Sequence, residues 1–295
     1  LDPCIIVMES CGSSNYWSRE FIKFGHKVKL IAPQFVSPYR KGNKNDFNDA
    51  EAIAEAAQRP NMRFVPIKSI EQQDTQILHR IRERLKGDRT ALINQTRGLL
   101  AEYGIVIKLG VCAFKKELPL ILEDAENQLT AVSRELFAEL REEFNKLDDR
   151  YKTFEARMRQ ENKKIPTCVK LVTVLGIGAV TASASYASAG DGKEFENGRH
   201  FSAWLGLVPR QHSSGGKNNL LGISKRGNTY LRTLFIHCAR SVLSHSEKKT
   251  DKFSLWANKL KERSGFNKAC VAVANKLARM AWVMMATEAE FRIVK

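Results

Sequence analysis

Three carboxylates and a serine are the residues of this sequence whose types and spacing could do chemistry. Glu9 ends an Ile- and Val-rich run from Cys4 to Met8, and Asp46 and Asp49 sit three residues apart in an Ala-rich stretch. On a helix that spacing places both aspartates on one face. Carboxylates gathered in this way hold hard divalent cations such as Mg2+, and two such ions can clamp the attacking and leaving oxygens of a phosphodiester. The same residues also suit a blander role: Asp46 with an acid three positions later has the form of a helix N-cap and its partner, and a Glu after a strand is commonly just solvated. Spacing alone leaves both readings open.

A second group is defined by what it lacks. Between Glu196 and Glu247 there is no Asp or Glu, while Arg199, Arg210, Lys217, Lys225, Arg226, Arg232 and Arg240 all fall inside, together with His200, His212, His237 and His245. A cationic surface of this kind gains affinity for nucleic acid by releasing condensed counterions from the phosphates it covers. Gly215-Gly216 and Asn218-Asn219 would let backbone amides approach a strand closely. Within the tract, Ser213 and Ser214 follow Arg210-Gln211-His212, so two hydroxyls lie beside cations and an imidazole. A serine attacks phosphorus once its proton has somewhere to go and the electrophile is polarised. Ser-Ser-Gly-Gly is equally ordinary loop composition. The histidines have no ligand spacing with cysteines, which argues against zinc. A third element, Leu175-Gly176-Ile177-Gly178, resembles the hairpin of helix-hairpin-helix modules, in which the amides of Gly176 and Gly178 would meet a DNA phosphate; a plain helix-helix turn fits as well.

The elements that must position these groups follow from periodicity. The chain has 295 residues, 43% hydrophobic and 27% charged, with a formal net charge of +16, which excludes global disorder and points to a polyanion partner, nucleic acid before membrane. Strand, helix, strand is expected from Cys4 to Pro33, then an Ala-rich helix from Asp46 to Gln58 and a short third strand within Arg63 to Ile67. Leu78, Ile81, Leu85, Leu92 and Leu99 keep a near-heptad beat, as do Leu129 to Met158 after a break containing Gly104, Gly110 and Pro119, so two long antiparallel helices are expected to form a coiled-coil arm. Beyond Pro166 a helical part is expected, interrupted by a Pro209 to Gly227 loop. The fold class is therefore α/β plus all-α, divided at 1–107, 108–164 and 165–295. The longest uncharged stretch, Leu171 to Gly190, is too weakly apolar to span a bilayer, and six scattered cysteines without a Cys-x-x-Cys pair suit a reducing, cytoplasmic setting rather than a disulfide framework.

Taken in order, Met8-Glu9-Ser10-Cys11-Gly12-Ser13, Leu30-Ile31-Ala32-Pro33, Lys44-Asn45-Asp46-x-x-Asp49-Ala50, Arg63-Phe64-Val65-Pro66, Gly176-Ile177-Gly178, Gly206 to Arg210, Ser214-Gly215 and Lys225 to Asn228 resemble the transposases of the insertion-sequence family numbered one hundred and ten, including its eleven-eleven branch. The resemblance implies an N-terminal ribonuclease-H/RuvC-like domain with an Asp-Glu-Asp-Asp tetrad that binds Mg2+, a C-terminal domain with a catalytic serine, and a structured bridge RNA that selects donor and target duplex DNA. Glu9, Asp46 and Asp49 would be three of the four acids and Ser214 the nucleophile. Arg210, Lys217, Lys225, Arg226 and Arg232, with Gly176 and Gly178, would bind nucleic acid. The fourth acid, on a strand before Glu9, has no counterpart, since Asp2 lies at the wrong place; the expectation is an N-terminally truncated chain whose first strands lie upstream. A homodimer or tetramer would share the site, with no membrane involved. Two other classes stand beside this one, a metal-dependent junction nuclease that uses water and a noncatalytic nucleic-acid-binding remnant.

Overall fold

The computed structural model describes residues 2–292. Strand β1 (Ile5–Glu9), helix α1 (Ser14–Lys23) and strand β2 (Lys27–Ile31) form a parallel unit, with Ile5 opposite Lys27 and Glu9 opposite Ile31. A four-residue α2 (Pro33–Val36), a helix α3 (Asp46–Ala57) and a two-residue β3 (Phe64–Val65) follow, β3 lying antiparallel to β2 so that β2 is central. Ile31, Val36, Ala52 and Ala56 make the small core beneath this sheet. The expected strand-helix-strand start and Ala-rich helix are therefore present, and the sheet has three strands.

The long helices are α4 (Ile70–Ala101) and α6 (Ala131–Lys164), joined through α5 (Val111–Glu123). Ser69 opens α4 with a capping box, its hydroxyl accepting from Gln72 N while the Gln72 side chain accepts from Ser69 N. Arg82 meets Glu155, Arg89 meets Asp148 and Tyr103 meets Phe137, so the two helices run antiparallel. On α6 the buried residues Phe137, Phe144, Tyr151 and Met158 recur every seven positions. Leu99 and Leu136, read from sequence as part of the apolar beat, are exposed, and the seam passes instead through the neighbouring Leu100 and Phe137. Helix α5 occupies what reads as a break. It carries Pro119 inside the helix, and burial of Phe114 and Leu118 against Phe144 outweighs the missing N–H.

The remainder is helical apart from one hairpin: α7 (Pro166–Val172), α8 (Ala179–Ala189), α9 (Gly198–Trp204), strands β4 (Pro209–Gln211) and β5 (Leu220–Ile223), then α10 (Thr229–His245), α11 (Lys252–Ser264) and α12 (Phe266–Ala286). Its core is the largest, built on Phe201, Phe235, Leu231, Val273 and Leu277. Helix α12 is long and apolar enough to cross a membrane by length and composition, but half of its apolar window is buried in this core. All six cysteines are free.

The helix pair is docked at one end rather than standing free. Gln72 Nε2 donates to Tyr186 O at 3.0 Å, and the His79 ring bridges Tyr230 Oη and Ser183 Oγ, each at 2.9 Å. His79 is buried, and burial, helped by the neighbouring Arg82 charge, pulls it down to about 4. A second polar lock sits between α4, α5 and α6, where the Asp148 carboxylate, 2% exposed, faces Arg89, Lys115 and Lys152. Burial alone would raise this carboxyl, yet hydrogen bonds from Lys115, Lys152 and Arg89 hold it well below the usual carboxylate range.

Two outcomes follow from these locks. Replacing Asp148 by Asn leaves three cations around a neutral amide and should cost about 3 kcal/mol in urea unfolding. The His79 site favours the neutral ring in the fold, so its stabilisation is complete above pH 6.5 and is lost as pH falls toward 4, by roughly 3 kcal/mol at most. His79→Gln should flatten the fall in thermal midpoint across that window relative to the parent chain.

Candidate nucleic-acid and strand-transfer site

Between α9 and α10, the middle of the acid-free tract from Pro209 to Ile223 folds as a β-hairpin, not as the loop its composition suggests. Ser214 and Lys217 pair across a two-residue turn in which Lys217 N donates to Ser214 O at 3.0 Å and both Gly215 (φ 55°) and Gly216 (φ 77°) are left-handed. Positive φ at both central residues is the type I′ arrangement that matches strand twist, and glycine adopts it without a Cβ penalty. His212 N to Asn219 O at 2.9 Å and Ser224 N to Val208 O at 2.8 Å continue the ladder, with a register irregularity between Pro209 and Gln211. Every residue from Pro209 to Gly222 is exposed.

The two serines differ in their surroundings. Ser213 Oγ accepts from Gln211 Nε2 at 3.0 Å and from Asn219 N at 3.2 Å, so it braces the hairpin. Ser214 lies at the tip, next to the turn, and its hydroxyl has no hydrogen-bond partner among the described residues. Arg210 and Lys217 are exposed within the hairpin, and Lys225 and Arg226 are exposed at its root.

The feet of the hairpin are fixed tightly. A Cβ on Gly227 (φ 79°) would lie 1.9 Å from Trp204 O, and one on Gly206 (φ 72°) would lie 2.3 Å from Arg226 O. Only glycine permits these crossings. The Arg232 guanidinium, 8% exposed, donates from Nη1 to Leu205 O and Arg226 O, both at 3.0 Å, and from Nη2 to Thr229 Oγ1 at 3.0 Å. Arg232 is thus a clamp on the hairpin root and is not a phosphate contact, a correction to the sequence reading. Gly176, at φ 82°, sits against α10, where a Cβ would be 2.4 Å from Val242 Cγ2 and 3.3 Å from Cys238 O. Gly178 is exposed, at the N-cap of α8.

The acidic half is placed differently from the expectation. Glu9 ends β1 half-buried, and α3 packs against that strand. Asp46 and Asp49 occupy the first turn of α3, where acids complement the helix dipole, and the cap itself is Asn45, whose side chain accepts from Asn48 N at 2.7 Å. Asp46 points to solvent, while Asp49 Oδ1 lies 3.4 Å from Arg40 Nη1. No three of the described Asp, Glu, His or Cys residues are grouped so as to hold a metal ion. Glu9, Asp46 and Asp49 as folded are therefore not grouped as a cation centre: Asp49 is paired with a guanidinium, Asp46 is solvated, and Glu9 is half-buried at the strand end.

Sequence reasoning missed the hairpin, although Gly-Gly between two short arms is itself a hairpin signal. It also passed over Lys276 and Arg279 on α12, which, with Arg199, line a groove at the start of α9. Replacing Arg232 by Gln leaves the Leu205 and Arg226 carbonyls without their charged donor. A loss of about 2 kcal/mol is expected, with trypsin cutting at Arg210 or Lys217 in limited proteolysis before it attacks the helices.

Two stretches of the chain match known family models. Residues 1–105 match a DEDD transposase family model of the insertion-sequence 110 type, described as "Transposase", and residues 168–254 match the "Transposase IS116/IS110/IS902 family". The chain is 48% identical over 293 residues to a "Probable family 20 transposase" of Pseudomonas aeruginosa, covering 99% of this chain and 87% of that protein. It is 49% identical over 287 residues to the "Transposase for insertion sequence element IS1111A" of Coxiella burnetii, covering 97% and 79%, and 40% identical over 282 residues to the corresponding protein of element IS1328 from Yersinia enterocolitica, covering 96% and 84%. A DEDD domain implies a divalent-metal requirement, and a transposase implies DNA as substrate. With two family matches in chain order and three relatives aligned over nearly its whole length, this chain belongs to the IS110/IS116/IS902 family of insertion-sequence transposases.

Proposed function

We propose that this transposase cuts and exchanges DNA strands with Ser214 as nucleophile. The observation that carries the reading is the contrast between the two hydroxyls: Ser213 is held within the hairpin, whereas Ser214 is exposed at its tip, free of hydrogen bonds among the described residues, with exposed Arg210 and Lys217 in the same hairpin. In the proposed step, Ser214 Oγ forms a bond to a DNA phosphorus, the serine proton passes to a base, and the bond from phosphorus to the 3′-oxygen breaks. That oxygen leaves as a 3′-hydroxyl once protonated, and the 5′-phosphate remains esterified to the serine. The released 3′-hydroxyl can then attack the equivalent ester of a second duplex. Energy stored in the protein-DNA ester makes ATP unnecessary.

The N-terminal unit enters this reading as a ribonuclease-H/RuvC-like domain, with Glu9, Asp46 and Asp49 as its acids and Mg2+ as the cation, both from the family resemblance. As folded here these acids are not grouped as a cation centre. What the chain offers as folded is the hydroxyl, the exposed cations Arg210 and Lys217 along the hairpin and Lys225 and Arg226 at its root, and a firm anchorage for that hairpin. Guidance by a structured bridge RNA, donor and target duplexes as substrates, and a homodimer or tetramer that shares the site between subunits complete the proposal.

The scattered acids favour one second reading, a noncatalytic nucleic-acid-binding protein. A single assay separates the two. The protein is incubated with both duplexes, the noncoding RNA that flanks its gene, and Mg2+, then scored for recombined DNA and for DNA trapped covalently on the chain. Ser214→Ala is expected to lower adduct and product by at least ~1000-fold, Ser213→Ala to retain both, and chelation of the metal to abolish product. Cutting that survives in Ser214→Ala would instead identify a nuclease that uses water, and binding without any cutting in the parent chain would identify the remnant.

A further inference from the structure

Helix α12 carries Lys276, Arg279, Met280 and Val283 at i, i+3, i+4 and i+7, and therefore on one face. That face meets the start of α9 at Gly198, where an added Cβ would come within 3.0 Å of Arg279 O and 3.1 Å of Arg279 Cα. The close approach brings Arg199 beside Arg279, and the two arginines with Lys276 and Trp282 line a groove of about 500 Å³. Lys276 Nζ lies 4.1 Å from the Trp256 ring centroid, which holds it in place without neutralising it. Neither Arg199, Lys276 nor Arg279 has an acidic partner within salt-bridge distance among the described residues; the nearby Glu196 turns to His200, 3.2 Å from Nδ1. Three cations lining one groove without a counter-charge repel one another, and an anion laid along the groove relieves that cost.

The placement of the groove narrows the kind of anion. It lies at the start of α9, while the other end of the same helix, at Trp204 to Gly206, is pinned to the root of the Ser214 hairpin. Seven residues of helix separate the two, about 10 Å at 1.5 Å per residue, or roughly three nucleotides of rise along one strand of a duplex. The Met280 and Val283 side chains and the indole of Trp282, whose Nε1 is fixed on Gly192 O at 3.0 Å, give the groove an apolar wall suited to sugars. We infer that Arg199, Lys276 and Arg279 form a second phosphodiester-binding site, which holds the backbone of a nucleic acid about three nucleotides from the root of the Ser214 hairpin. The inference rests on the transposase reading for the identity of its polymer, and its test separates the two.

The experiment measures affinity of the whole chain for a duplex DNA and, separately, for a structured RNA across a salt series. In Arg199→Gln/Arg279→Gln the plot of log affinity against log salt should become shallower by about 2 for duplex DNA if DNA fills the groove, with the RNA arm unchanged, and the reverse if RNA does. The pair Arg199→Lys/Arg279→Lys, which keeps the charges, should restore most of the lost slope. Both arginines are exposed, and thermal midpoints close to the parent value check the fold. Parent-like affinity and slope in both arms for the Gln pair overturns the site, as does a Lys pair that binds as poorly as the Gln pair. If Ser214→Ala still forms the covalent adduct, the strand-transfer reading falls while the groove stands on its slopes.

Discussion

The hairpin that carries Ser214 depends on one guanidinium. Leu205 O belongs to the end of α9 and Arg226 O to the strand returning toward α10, and both accept from Arg232 Nη1 at 3.0 Å. A chain that leaves one helix, makes a long exposed excursion and re-enters at another exposes unpaired carbonyls at each foot, where they would be costly to bury. Arg232 satisfies both with a donor that cannot be deprotonated and whose fork reaches two acceptors at once. The glycines at 206 and 227 complete the joint by letting the two feet cross at distances no side chain tolerates. An excursion with no side chain buried between Pro209 and Gly222 thus has a defined origin, although nothing in its own composition would hold it in place.

Charge is divided in the same spirit. The net +16 is not a uniform coat. In the helix pair, cations face acids: Arg82 meets Glu155, and Asp148 collects Arg89, Lys115 and Lys152. These pairs hold α4, α5 and α6 in register and have little left for an outside partner. Along the hairpin, no carboxylate comes within salt-bridge distance of Arg210, Lys217, Lys225 or Arg226 among the described residues. Which cations await a polyanion is therefore read from partners rather than from density in the sequence, and by that measure Arg232 leaves the set while Arg279 joins it.

This is also where legibility in the sequence ends. The β1-α1-β2 unit and the two long helices were readable because a buried face imposes a period, and the period survives even where its register shifts by one residue, from Leu99 to Leu100 and from Leu136 to Phe137. Helix α5 was not readable because Pro119 is a local signal against helix, and the burial of Phe114 and Leu118 that overrides it is a long-range fact. The hairpin had no buried face and hence no alternation; only Gly215-Gly216 marked it. For the acids, residue type and spacing were legible and convergence was not. Three residues apart on α3 fixes Asp46 against Asp49, but only packing decides that Asp49 faces Arg40.

The exposure that makes Ser214 accessible also leaves it unactivated. No base hydrogen-bonds its oxygen among the described residues, and the cations nearby in the chain, Arg210 and Lys217, are solvated groups whose fields water screens. A hydroxyl in that state is a poor nucleophile, and a lone hairpin tip in water should be inert toward phosphodiesters. On the proposed reading, its reactivity would be supplied when DNA covers the tip, excludes water and brings a second protein surface against it. On this argument the hairpin is a delivery arm, rooted firmly at Arg232 so that its tip arrives in one place, and the rest of the reaction centre lies on whatever surface it is delivered to. In the proposed reaction, that arrangement would keep the serine inert on the free protein and make it reactive only in an assembled complex, as a strand-cutting chain requires.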